Sequence, residues 1–137
     1  MKIIIAVLLL TPAIVSAKFE MKHDGACGVP LDIFRLYRDF ATRVRSFGGP
    51  QLKPACKLFE EANRGRVTDE YAGQSCQSSK SPQSADPLEV IRKLVNQLAF
   101  IYDPDDRSYG CAFTAYPIDD KQDQWQLCCY TSTKTYE

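Results

Sequence analysis

The stretch "YGCAFTAYPIDDKQDQWQLCCYT", Tyr109 to Thr131, carries a period of two on either side of a polar turn. Tyr109, Cys111, Phe113 and Ala115 alternate with Gly110, Ala112, Thr114 and Tyr116. Trp125, Leu127, Cys129 and Thr131 alternate in the same way with Gln124, Gln126, Cys128 and Tyr130. Successive side chains on a strand point to opposite faces, so each run reads as a strand and "PIDDKQD" as the turn of a hairpin. Setting Tyr116 opposite Gln124 puts Ala115 against Trp125, Phe113 against Leu127 and Cys111 against Cys129, all on the side expected to pack on helices. An isolated hairpin is marginal in water, so a third strand is expected, with the amino-terminal arm as its source.

The same alternation sends Cys128 to one face and Cys129 to the other. Cys129 is expected to pair with Cys111 or a helix cysteine, and Cys128 with Cys27 or Cys76. With Cys56 the count of cysteines is six, which permits complete pairing but 15 connectivities, so the pairing stays open. A bridge between the two neighbours themselves needs strained local geometry. A metal centre is disfavoured because no Cys-x-x-Cys pair occurs and the single histidine is His23. No cofactor is expected.

Upstream of the hairpin the period changes to that of a helix. In "DPLEVIRKLVNQLAFIY", Asp86 suits an N-cap, Pro87 the first turn, and Glu89 completes an Asp-x-x-Glu variant of the capping box. Leu88, Ile91, Leu94, Val95, Leu98 and Ile101 form its apolar stripe, and "DPDD" at 103–106 is expected to end it. "PLDIFRLYRDFATRVRSF", Pro30 to Phe47, is amphipathic as well, with Ile33, Leu36, Tyr37, Phe40, Val44 and Phe47 on one side and Gly48, Gly49 and Pro50 as its stop. A short helix starting at Pro54, with Cys56, Phe59 and Ala62 sharing an inward face, follows. Ala72 to Ala85, "AGQSCQSSKSPQSA", is rich in serine and glutamine and reads as a surface loop tethered by Cys76. The expected fold class is α+β: about three helices packed on a short antiparallel hairpin or small sheet, stapled by disulfides.

The chain opens with Met1-Lys2, the apolar run Ile3 to Leu10, then Thr11-Pro12 and small residues at Val15 and Ala17, the plan of a secretory signal peptide cleaved after Ala17. Residues 18–137 then form a single extracellular domain, and their cysteines meet an oxidising environment. No later stretch is apolar enough to span a membrane. Seventeen basic residues balance 17 acidic ones, which disfavours nucleic acid and anionic lipid as partners. There is no Asn-x-Ser/Thr sequon, Gly-x-Ser-x-Gly elbow or Walker spacing. Asp103, Asp105 and Asp106 resemble a calcium loop in charge only, since Ser108 stands where an EF-hand has its glycine.

A signal peptide, one domain of this length, a late "YGCAF" strand and a terminal "LCCY" together resemble the layout of small cysteine-containing secreted nematode proteins of uncharacterised function. The resemblance implies a reproductive-tract or body-fluid setting and brings no catalytic residues.

The function expected from the sequence is that of a non-enzymatic, secreted, monomeric module that binds an extracellular protein or matrix partner, with Tyr116, Tyr130 and Tyr136 as candidate contacts. A carrier of a small apolar ligand is the first alternative, its cavity lined by Phe40, Leu94, Leu98, Phe113 and Trp125. A secreted inhibitor or defence effector with Gln74 to Ala85 as its reactive loop is the second.

Overall fold

A computed structural model describes residues 26–99 and 102–136. The expected signal peptide, the arm that carries His23 and the residues Phe100 and Ile101 lie outside the described residues. The chain order is α1 (Leu31–Ser46), β1 (Lys53–Pro54), α2 (Cys56–Asn63), β2 (Gly73–Pro82), α3 (Pro87–Gln97), β3 (Ser108–Pro117) and β4 (Gln122–Ser132). The strands form one mixed sheet in the order β1-β3-β4-β2. The architecture is therefore α+β and disulfide-stapled, with a four-stranded sheet in place of a bare hairpin.

The hairpin register is the one its alternation dictates: Tyr116 lies opposite Gln124, Ala115 opposite Trp125, Phe113 opposite Leu127 and Cys111 opposite Cys129. The third long strand is not the amino-terminal arm, whose described part makes only an isolated bridge between Ala26 and Val29. It is β2, the serine-rich segment expected to be a loop, which pairs antiparallel with β4 from Gly73–Thr131 to Pro82–Gln122. The composition misleads because both faces of β2 are polar. Its inward residues are Ser75, Gln77, Ser79 and Ser81, so the alternation of burial has no counterpart in hydropathy.

Helix α3 starts as its sequence requires, with the Asp86 carboxylate accepting the Leu88 N–H at 3.1 Å and Pro87 in the first turn. Glu89 pairs with Arg92 rather than reaching back to complete the capping box. The helix stops at Gln97, well before the aspartates at 103–106, which form a separate turn leading into β3. Helix α2 begins at Cys56, two residues after the expected start, because Pro54 is engaged beside Tyr109 in the short parallel pair of β1 with β3. Its inward face carries Leu58, Phe59, Glu61 and Ala62, whereas Cys56 is exposed, not turned to the core. The buried Glu61 carboxylate accepts the Thr68 N–H at 2.8 Å and the Thr68 hydroxyl at 3.0 Å, which folds the chain back after the helix.

Helices α1 and α3 cover the inner face of the sheet. Ile33, Leu36, Tyr37, Phe40 and Val44 of α1 meet Val90, Ile91, Leu94 and Val95 of α3 and Tyr109, Cys111, Trp125, Leu127 and Cys129 of the sheet in one cluster. Phe47, placed on this stripe by its spacing, is instead 67% exposed because it stands at the helix C-cap, beyond the last turn. Arg43 of α1 bonds the Val95 carbonyl and ties the two helices. Burying a large apolar side chain contributes roughly 1.5–3 kcal/mol, so this cluster is the main stabilising element of the fold. Gly110 lets α2 lie directly on β3: a Cβ there would sit 2.6 Å from the Phe59 nitrogen.

Candidate interaction surface

Three disulfides close the structure: Cys27–Cys56, Cys76–Cys128 and Cys111–Cys129. The adjacent cysteines of β4 thus clamp it to both neighbours, Cys129 to β3 on the inner face and Cys128 to β2 on the outer face. Both pairs are directly opposed residues with Cα atoms 4.0 and 4.1 Å apart. Such short separations belong to the non-hydrogen-bonded pairs of an antiparallel ladder.

That assignment fixes which backbone groups of β2 are satisfied. Just past the strand, the Gln83 N–H donates to the Lys121 carbonyl at 2.8 Å. Hydrogen-bonded pairs alternate along the ladder, so Ser75, Gln77, Ser79 and Ser81 bond β4, while Gln74, Cys76, Ser78 and Lys80 turn their N–H and C=O groups the other way. β2 is the last strand of the sheet, and among the described residues no strand pairs with that second edge. The edge is ten residues long, with Lys80 as its only charge and Pro82 at its end.

The outer face beside this edge is largely polar. Across it run the rows Gln74–Tyr130, Cys76–Cys128–Ala112, Ser78–Gln126–Thr114 and Lys80–Gln124–Tyr116. Tyr116 is 52% exposed, and the Gln74 side-chain amide donates to the Tyr130 hydroxyl at 3.1 Å. The third tyrosine expected to make contacts, Tyr136, is committed elsewhere. Its hydroxyl donates to Asp69 at 3.1 Å, and the fully buried Ser132 hydroxyl donates to the same carboxylate. Burial alone raises the pKa of Asp69, but these bonds and the Tyr71 N–H hold it below the usual carboxylate value. This cluster anchors the carboxyl-terminal segment to the loop before β2.

The residues expected to line an apolar cavity are brought together, but in the packed core. Phe40, Leu94, Leu98 and Trp125 are each at most 2% exposed, and Phe113 stacks on Trp125 with ring centroids 5.4 Å apart. Gln74 to Ala85 is no free reactive loop, since β2 is hydrogen-bonded along its length. In the 103–106 turn the Asp106 carboxylate accepts the Asp103 N–H and the Asp103 carboxylate accepts the Asp105 N–H, both at 2.8 Å, so these acids cap backbone. Among the described residues no group of three or more His, Cys, Asp or Glu side chains is placed to hold a metal ion, and no helix is long and apolar enough to cross a membrane.

Surface depressions lie away from the expected cavity. One, of about 500 Å³, is lined by Arg38, Thr42 and Arg45 of α1 and by Gln51, Leu52, Pro54 and Tyr109, among others. Tyr109 is fully buried, and among the described residues its hydroxyl has no hydrogen-bond partner. Sequence reading placed Tyr109 on the inner face of its strand, yet nothing in the pattern showed that its hydroxyl would lack a partner. Compared with protein-family models, curated proteins and solved structures, the chain matches none.

Proposed function

We propose that this chain is a non-enzymatic, secreted module that binds another extracellular protein, and that it does so by accepting an extended segment of that partner along the free edge of β2. The observation that carries this reading is the row of outward backbone groups at Gln74, Cys76, Ser78 and Lys80. Long exposed edges are normally blunted by charges, bulges or covering loops. This one carries a single charge, Lys80, and a proline only at its end, Pro82, so its middle from Gln74 to Ser79 is neutral, and the Cys76–Cys128 bridge holds it to the middle of the sheet. An extended peptide added to such an edge gains main-chain hydrogen bonds, and the adjoining Gln, Ser and Tyr side chains supply selectivity. Three bridges and the leader-like amino terminus support secretion, and the layout shared with small secreted nematode proteins supports a body-fluid setting.

The test is site-specific photo-cross-linking in the fluid of origin, with the cross-linking residue at Gln126 on the outer face or, as control, at the exposed Glu60 of α2. Adducts are expected from position 126 and not from position 60. They are also expected to vanish when Ser78→Pro removes one outward N–H. Equal adducts from both positions, or adducts that survive Ser78→Pro, would reject the edge as the binding site.

A further inference from the structure

The depression between α1 and the start of β3 has a chemistry that the edge-binding reading does not use. Arg38 and Arg45 lie seven residues apart on α1, about two turns, and therefore on one face of the helix, with Thr42 between them. Ala41, Leu52 and Pro54 give the depression an apolar floor, and Gln51 contributes an amide. Among the described residues no acidic side chain lines it; Asp39 and Asp32 line the neighbouring depression, which shares Arg38 with this one.

Tyr109 adds the second, independent observation. Its ring is held by Phe40 and Phe59, with centroids 6.3 and 5.5 Å away, and its hydroxyl is buried without a partner among the described residues. Leaving a buried hydroxyl unpaired is costly, so such a group on a residue that lines a depression calls for a partner that the described residues do not supply. Burial raises the phenol pKa to about 12; the Arg38 charge acts against that rise and the Asp39 carboxylate adds to it. The hydroxyl thus keeps its proton at physiological pH, as an unpaired donor on a residue that lines the same depression as Arg38 and Arg45.

Two cations, a hydroxyl donor and an apolar floor together select for a carboxylate carried on a short apolar body. Inorganic phosphate, compact and strongly hydrated, gains nothing from Ala41, Leu52 and Pro54. A neutral alcohol gains nothing from the guanidiniums. A volume of about 500 Å³ lies within the ordinary range of small-molecule sites. We infer that the depression lined by Arg38, Arg45, Leu52 and Tyr109 is a binding site for a small organic carboxylate, with Arg38 and Arg45 meeting the charge and the Tyr109 hydroxyl donating to it. Arg45 already donates to the Gly49 carbonyl at 3.2 Å, so one of its nitrogens positions it while the others remain for the ligand.

The experiment is titration of the oxidised, secreted protein followed by amide NMR, with hexanoate, 1-hexanol, inorganic phosphate and N-acetyl-leucine as probes. Hexanoate is expected to saturate with a dissociation constant of about a millimolar or tighter and to shift the amides of residues 38–52 and 109. The alcohol and phosphate are expected to bind at least tenfold more weakly. Tyr109→Phe, which keeps the ring and leaves no unpaired hydroxyl, is expected to fold normally and to weaken hexanoate about tenfold. Arg38→Gln, at an exposed position, is expected to do the same. Hexanoate binding more tightly than N-acetyl-leucine would assign the site to free acids, and the reverse order to the carboxyl terminus of a peptide; both support it. Hexanol or phosphate binding as tightly as hexanoate, unchanged affinity in Tyr109→Phe, or the absence of saturable shifts would overturn the inference.

Discussion

The two bridges that leave neighbouring positions of β4 do similar covalent work in opposite surroundings. Cys111–Cys129 lies 1% exposed under both helices, whereas on the outer face Cys76 is exposed and Cys128 half-buried. The inner bridge closes a short span, with a sequence separation of 18, and the outer one a longer span, with a separation of 52. Loop-closure entropy alone ranks the outer bridge higher, at about 4 kcal/mol against about 3 for the inner. Burial reverses that order, because deleting two buried sulfurs also leaves a cavity costing roughly another 2 kcal/mol. Position in the sheet, not loop length, is then what sets the worth of each bridge.

Denaturant unfolding of the two paired variants decides the matter. Cys111→Ala/Cys129→Ala is expected to lose about 5 kcal/mol, close to the whole stability of a small domain, and Cys76→Ala/Cys128→Ala about 4 kcal/mol. The inverse order would show that chain entropy dominates and that the inner bridge adds little packing.

The Asp69 cluster is the polar counterpart of the inner bridge, tying Ser132 at the end of β4 to the loop before β2. Asp69→Ala is expected to cost about 2–3 kcal/mol, since it removes the acceptor of two hydroxyls and the Tyr71 N–H. Its pKa in the folded chain is depressed, so its contribution is complete above the unfolded carboxylate value near 3.9. That contribution is lost as pH falls through the folded value. Stability against pH should therefore drop below about pH 4 in the native chain, and drop less steeply in Asp69→Ala.

Exposure also ranks the bridges kinetically. In native buffer a thiol reductant reaches the outer bridge without unfolding the chain, whereas the inner one opens only when the helices leave the sheet. Timed alkylation and mass spectrometry should label Cys76 and Cys128 at least tenfold faster than Cys111 and Cys129. Equal rates would mean that the two faces open together.

How much of this was legible in the sequence follows the same division. The inner face of the hairpin was readable to the exact pair, because Phe113, Trp125 and Leu127 alternate with polar partners, and so was the start of α3, because Asp86-Pro87 has only one good use. The strand β2 was not, since Ser75, Gln77, Ser79 and Ser81 face inward without being apolar. The one signal that could have found it was Cys128: an outward cysteine on a strand whose inner neighbour pairs with β3 calls for a partner on the opposite side, and Cys76 sits in the middle of the segment that supplies it. The depression around Tyr109 was illegible for another reason. Arg38 and Arg45 occupy the polar side of an amphipathic helix, where arginines ordinarily meet water.

The smallest effect on stability tests the largest functional claim. At Ser78 the backbone N–H points away from β4, so Ser78→Pro removes no ladder bond, and its cost is expected to stay within about 1 kcal/mol. One residue on, Ser79 lies in a hydrogen-bonded pair with Trp125, and Ser79→Pro takes away a bond that holds β2 in the sheet; several times that loss is expected. Paired melts of the two variants read the ladder directly, before any partner is known. If Ser78→Pro proves the more damaging, the alternation is offset by one residue, and Gln77 and Ser79 rather than Ser78 face the free edge. If the order holds, Ser78→Pro leaves the fold and both β4 bridges in place while breaking the edge in its middle. Loss of partner adducts in that variant then reports on strand addition alone.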